Sequence, residues 1–285
     1  QGRYPAAADA YGQLVALDPE APDAPRLQAR IVAAWGRDHR PDEEARAREE
    51  LLSRYSEGGA WWRRNQRSAE VLEEATALWR AAELGAARDH HVRAQALRTA
   101  GRPDAALAEY RRAAQGYRAY VEAVPDPRDR TEIRFEWADA AFHSGDHETA
   151  AELYERVRDD AAGASHREEA ALDAVLAREA VVAQARRSGA LEDRKVTLAK
   201  DRPAGPPRPE PLPAPVAALV RASDAFLAGF PGSERAPAIA YRAGELLYAY
   251  DHLAEARRRF EELVSRWPST EPARFAANLI VETLL

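Results

Sequence analysis

The sequence predicts an all-α chain built from antiparallel helix pairs, on three observations. Alanine, leucine, arginine and glutamate dominate the 285 residues, a helix-forming mixture. Apolar residues recur at helical period, as in Leu27, Ile31 and Ala34–Trp35. Near the end of the chain, Ala256 stands twelve residues after Gly244, Phe260 sixteen and Pro268 twenty-four, with polar Asp251–His252 between. The spacing has a physical reading. Gly244 and Ala256 are small where two helix backbones approach, Phe260 fills the space between the helices, and Pro268 cannot continue the second one.

Taken in order, residues 2–19 read as the second half of such a pair. Gly2 takes the turn, Ala7 the small position, Tyr11 the large one and Pro19 the stop, and a preceding helix is expected upstream. Pro22 to Gly36 is the next helix, followed by a turn over residues 37–40. Pro41 then opens a helix at its first turn, where the missing N–H costs nothing, and Gly58–Gly59 breaks it. Residues 61–100 keep helical period through Val71, Leu72, Ala75 and Leu78–Trp79; either Gly85 kinks or breaks this stretch, or the helix runs on to Leu97. Gly101–Arg102–Pro103 is a turn. Asp104 to Val124, stopped by Pro125, carries two overlapping registers, Ala106 with Tyr110 and Ala113 with Tyr117, and a helix this long can offer one to each neighbour.

Thr131 to Asp160 is the second clear pair. Ala138 is its first small position, Ser144–Gly145–Asp146 its turn, and Ala150 and Tyr154 match Ala256 and Phe260. Ser165 with Glu168 reads as a capping box for a helix that ends at Ser188–Gly189. Arg202–Pro215, RPAGPPRPEPLPAP, is proline-rich and extended, an insertion in one repeat rather than a hinge. Helix resumes at Val216 and stops at Phe230–Pro231. A last helix, Glu271 to Leu285, ends on Leu279–Ile280 and Leu284–Leu285, an apolar end that suggests truncation or a partner there. The domains are therefore drawn as residues 1–187, helical repeats; 188–215, the insertion; and 216–285, repeats continuing the same solenoid.

Composition narrows the function. A net charge of −6 makes nucleic acid a poor partner. The chain has no Cys, which removes disulfides, thiolate metal sites and Cys nucleophiles. No apolar run reaches membrane-span length. Basic residues are nearly all Arg; Lys195 and Lys200 are the only lysines. With no Met in the chain, Gln1 is expected to be a processing end or the end of a fragment, and a signal peptide or lipid anchor upstream stays open.

The repeat spacing resembles the tetratricopeptide (TPR) superfamily, over residues 2–19, 131–160 and 231–268 and more loosely elsewhere. The resemblance implies a right-handed α-solenoid that binds other proteins and catalyses nothing. Phe230–Pro231–Gly232–Ser233, followed by Ala240, Gly244, Ala256, Phe260 and Pro268, is similar to the TPR proteins of bacterial outer-membrane lipoproteins and cell-envelope assembly. Residues 110–285 resemble large envelope proteins of this class, some tied to gliding motility.

In that superfamily the first helix of each pair lines a groove, at positions three before and one and four after the small residue. Carried onto this chain, these are Tyr241, Glu245 and Tyr248 around Gly244, and Phe135, Asp139 and Phe142 around Ala138. Around Ala94 they are His91, Gln95 and Arg98. Aromatics with carboxylates suit a protein or peptide bearing apolar anchors and basic groups; the alternative is that neighbouring helices or the proline-rich insertion fill the groove. Tyr11, Tyr110, Tyr154 and Phe260 read as core.

Other clusters have bland readings. His143 and His147 are spaced like a zinc pair, but Gly145 between them sits in a turn, which puts them on different helices as solvated turn residues. His90–His91 point different ways around one helix. Arg257–Arg258–Arg259 fans around a helix axis as a solvated face, and Glu43–Glu44 with Glu49–Glu50 pairs with nearby Arg. No phosphate loop, nucleophile elbow or HExxH occurs, and no cofactor is expected. The resulting expectation is a non-catalytic scaffold that mediates protein–protein interaction in a bacterial cell-envelope or motility complex; the alternative is a cytoplasmic adaptor or regulatory module of a larger protein.

Overall fold

The computed structural model describes residues 3–123, 128–160, 166–202 and 208–284, with backbone only at 128 and 129. The expected turn at Gly2, the stop at Pro125, the cap at Ser165, residues 203–207 of the proline-rich stretch and Leu285 lie outside these. Among the described residues there are thirteen α-helices and no strand. The chain forms two compact units, residues 1–144 and 145–285. The insertion at 188–215 therefore lies within the second unit, and the pair read at 131–160 supplies the last helix of the first unit and the first helix of the second.

The first unit holds α1 (Arg3–Leu17), α2 (Ala24–Arg37), α3 (Pro41–Arg54), α4 (Ala60–Asn65), α5 (Ala69–Thr99), α6 (Pro103–Ala123) and α7 (Arg128–His143). Each packs mainly on helices near it in the chain: α1 on α2, α2 on α3, α5 on both α3 and α6, and α6 on α7. The second unit holds α8 (His147–Asp159), α9 (Arg167–Arg187), α10 (Ala214–Gly229), α11 (Ala236–Ala249), α12 (Leu253–Arg266) and α13 (Glu271–Glu282). These too pack in chain order, with α13 also reaching α11. Neighbour-on-neighbour packing without long-range pairing is the organisation of a helical solenoid.

One turn recurs. In α2–α3, α5–α6 and α11–α12 the first helix ends in a left-handed residue: His39 (φ 57°), Gly101 (φ 71°) and Asp251 (φ 60°). The next amide then bonds back five residues, Arg40 to Trp35, Arg102 to Leu97 and His252 to Leu247. This is a Schellman closure, which satisfies the orphaned carbonyls of the helix end. Pro41 and Pro103 follow at the start of α3 and α6, where a proline is tolerated. Asp146 caps α8 by accepting from the Thr149 amide, and Thr270 caps α13 through Ala273.

The small-and-large register holds where the sequence states it most clearly. Ala150, Ala256 and Phe260 are fully buried and Tyr154 nearly so. A Cβ on Gly244 would stand 2.5 Å from Cε1 of the Phe260 ring, so the glycine is a requirement of the crossing. In α6 both overlapping registers are buried, Ala106 with Tyr110 and Ala113 with Tyr117. Enlarging either small position, Ala150→Leu or Ala256→Leu, should overpack a filled crossing and cost about 1–3 kcal/mol, read as a lowered denaturant midpoint; two unchanged midpoints would show that the register is wrong.

Two expectations are corrected. In α1 the buried small residue is Ala8 rather than Ala7, and Tyr11 is only half buried, with Arg30 over its ring. The break expected near Gly85 is absent: α5 runs unbroken through it past Leu97, the other reading of this stretch, and the break falls earlier, at residues 66–68 between α4 and α5. The reason is steric. A Cβ at Gly85 would stand 2.6 Å from Nε of Arg48, whose buried guanidinium pairs with Glu44 and Asp89. The glycine makes room for a charge crossing from α3 to α5, and its helix-propensity loss of about 1 kcal/mol is small beside that ion pair's need for space.

Candidate functional site

The groove positions carried onto α5 and α7 face each other in the first unit. Arg88 of α5 forms a two-bonded fork with Glu136 of α7, both bonds 3.0 Å. One turn on, Nε2 of His91 donates to Asp139 at 2.8 Å. Further along, Arg98 Nη1 stands 2.7 Å from Nε2 of His143, which lies 3.4 Å from Asp139. The contacts ascend together, 88 to 136, 91 to 139, 98 to 143, so α5 and α7 run in the same direction with one stripe of each turned to the other. Residues three or four apart on a helix share a face. α6, which packs on both, supplies Tyr110 and Tyr117. His91 lies edge-on to both rings, and the Tyr117 hydroxyl is 3.2 Å from its Nδ1.

The electrostatics of this stripe are settled internally. Burial would push the Asp139 carboxyl upward, but hydrogen bonds from His143 and His91 outweigh it and hold the group well below the usual carboxylate range. Burial, then the charge of Glu136, pushes the Tyr117 phenol far up. Tyr110 keeps a buried hydroxyl with no hydrogen-bond partner. His90, turned away from this stripe as expected, pairs with Glu109 at 2.7 Å, beside Arg112.

Of the six residues expected on this face, five are accessible in part or whole. Gln95 and Arg98 are exposed, and Phe135, Asp139 and Phe142 are half buried. His91 is corrected: at 8% exposure it is a buried connector rather than a contact residue, because Asp139, Tyr110 and Tyr117 close over it. The expected acidic character is also corrected, since Glu136 is paired with Arg88, Asp139 is hydrogen-bonded to His91, and Arg98 adds a cation to the face. Sequence reasoning missed the role of His143; its position four residues after Asp139 on one helix was the available signal.

In the second unit the expected groove residues have other surroundings. Tyr248 is 1% exposed. Its hydroxyl donates to the Thr197 carbonyl at 3.2 Å, and Arg202 stacks over its ring at 4.6 Å. Tyr248 is thus corrected from an open contact to a residue roofed by the insertion. Glu245 pairs with Arg242. Tyr241 is half buried between the rings of Phe260 and Phe275. The insertion adds Leu191 to one core and Val196 to another, with Leu212 touching both.

Among the described residues no group of three or more His, Cys, Asp or Glu is arranged to hold a metal ion, and no helix is long and apolar enough to cross a membrane. No protein-family model matches the chain. No curated protein matches it either. Among solved structures it is similar to the C-terminal part of a TPR repeat-containing protein from Cytophaga hutchinsonii, at 11% identity and a TM-score of 0.39, over 96% of this chain and 94% of that one.

Proposed function

We propose that this chain is a non-catalytic, TPR-like scaffold that binds a protein partner on the α5–α7 face of its first unit. The observation that carries the reading is the parallel meeting of α5 and α7 along one stripe, which leaves Phe135, Phe142, Gln95 and Arg98 accessible around a pre-paired polar centre. A face whose charges are already matched offers little to a basic segment. It suits a helix or peptide with apolar anchors for the two phenylalanines and polar groups for Gln95 and Arg98. The resemblance of residues 230–268 supports a bacterial cell-envelope or motility setting for the complex.

Photo-cross-linking in the source cells tests this. A photoreactive residue at position 95 or 142 should capture the same protein, whereas one at Glu122, exposed on α6, should not; equal capture from all three would move the site elsewhere. In titrations with the captured partner, Phe142→Ala should cost about 1–3 kcal/mol of binding. Release of the chain with the periplasmic fraction would support the envelope setting, and retention with the cytoplasm would favour the adaptor alternative.

A further inference from the structure

The insertion does more than connect α9 to α10. Residues 194–198 and 208–212 run without helix against α11, α13 and the α11–α12 turn, the first stretch ending in a single 3-10 turn over Ala199–Asp201, and their hydrogen bonds to these elements go through the strap's main-chain groups. Tyr248 donates to the Thr197 carbonyl. The Ala199 amide donates to Glu282 of α13 at 2.7 Å. The Glu210 amide donates to the Tyr250 carbonyl at 3.0 Å, and His252 donates to the Glu210 carbonyl at 2.6 Å. Side chains enter at four places: Val196 packs on the core of α11 to α13, Leu212 touches both cores, Arg194 lies over the Tyr250 ring and Arg202 over the Tyr248 ring. Thr197 and Leu198 point outward, Leu198 at 37% exposure. A helix face that reads the backbone of a non-helical segment is built as a peptide-recognition surface is built.

The seat is also imperfect. Nη2 of Arg202 is buried without a hydrogen-bond partner, and a buried unpaired donor weakens the state that contains it. A cleft of about 300 Å³ remains beside the strap, lined by Arg194, Thr197, Arg202, Tyr248 and Asp251. Tethering gives the strap a high effective concentration, so an incompletely satisfied contact is what allows it to be exchanged.

We propose that the α11–α13 face is a second binding site, for a segment of a partner protein that runs without helix and ends in a single 3-10 turn, and that residues 194–202 occupy it as a built-in competitor. The segment that fits carries an aliphatic side chain at the Val196 place, an arginine six residues later at the Arg202 place, and an unblocked carbonyl and amide between them. The site is separate from the α5–α7 face, so the two readings stand or fall on different experiments.

The chain supplies its own tool. Lys195 and Lys200 are its only lysines, both exposed and both in the strap. Endoproteinase Lys-C therefore cuts after these two residues alone and frees residues 196–200, which hold both the Thr197 carbonyl and the Ala199 amide. After the protease is inhibited, a fluorescein-labelled peptide of residues 194–202 should bind the nicked chain at least ten-fold tighter than the intact one. Because the nicked chain keeps its own Arg202 over Tyr248, the arginine is tested on a full-length chain with residues 195–202 replaced by glycine and serine, to which the Arg202→Ala peptide should bind at least five-fold more weakly than the unchanged one. Should Lys-C fail to enter the folded chain, that same variant, keeping Leu191, Glu210 and Leu212, presents the cleared face, and Glu282→Ala in it should lower peptide affinity. Equal binding to intact and cleared chains, or no binding to a cleared chain that keeps its helical circular dichroism, overturns the proposal and makes the strap purely structural.

Discussion

Phe260→Ala should destabilise the second unit by about 3–5 kcal/mol, the range for removing a fully buried aromatic ring. The ring is 0% exposed and sits in the crossing of α11 and α12, against Gly244 on one side and Tyr241 on another. The packed wall opposite it is backbone, which cannot collapse inward to fill the cavity. Gly244→Ala should cost about 1–3 kcal/mol for the opposite reason, overpacking against the same ring. Because both changes act on one contact, their effects should not add: in Phe260→Leu the methyl of Gly244→Ala has room, and the double variant should lose less than the sum of the singles. Urea unfolding of the four chains measures this. Strict additivity would show that the glycine and the ring do not meet.

Asp139→Ala should cost about 2–4 kcal/mol, since it leaves the buried His91 without its acceptor and removes the second contact to His143. The pH dependence has a defined sign. The Asp139 carboxyl is held below its usual range in the folded chain, so its contribution is fully present above the unfolded carboxylate value of about 3.9 and is lost as pH falls through the lower folded value. The stability difference between wild type and Asp139→Asn should therefore persist as pH is lowered to about 4 and shrink only in stronger acid, as read by denaturant melts across that range. A difference that vanished by pH 5 would mean that the carboxylate is not held by the histidines.

What could be read from the sequence was what close packing imposes locally. Gly244, Ala256 and Phe260 announce their crossing because a small residue facing a large one at fixed spacing has few other uses. The same register carried His91 and Asp139 to within reach of each other although 48 residues separate them. What could not be read depended on partners from elsewhere. Gly85 looks like a helix breaker in isolation, and only the arginine from α3 makes it a helix-interior residue. The roof over Tyr248 rests on contacts to residues 51 and 83 positions away in sequence, Tyr248 to Thr197 and Ala199 to Glu282, and main-chain contacts of that kind leave no residue pattern. Proline-rich composition told that the segment is extended, not where it lies. The matched charges of the α5–α7 face were hidden for the same reason: Arg88 and Glu136 each look like solvated surface until the helices are side by side.

The unbroken course of α5 has a consequence for how the first unit comes apart. Its 31 residues make a rod of about 46 Å, and it donates Ala75 and Ala82 to the core shared with α2, α3 and α4, then Ala87 and Ala94 to the core shared with α6 and α7. A solenoid in which each pair has its own helices can fray one pair at a time from the end. Here a single helix is spliced into two cores, so neither can melt without costing the other its wall. Amide exchange along α5 should accordingly report one cooperative opening from Ala75 to Ala94, with no step at Gly85, and the glycine that looks like a joint works as the middle of a splint.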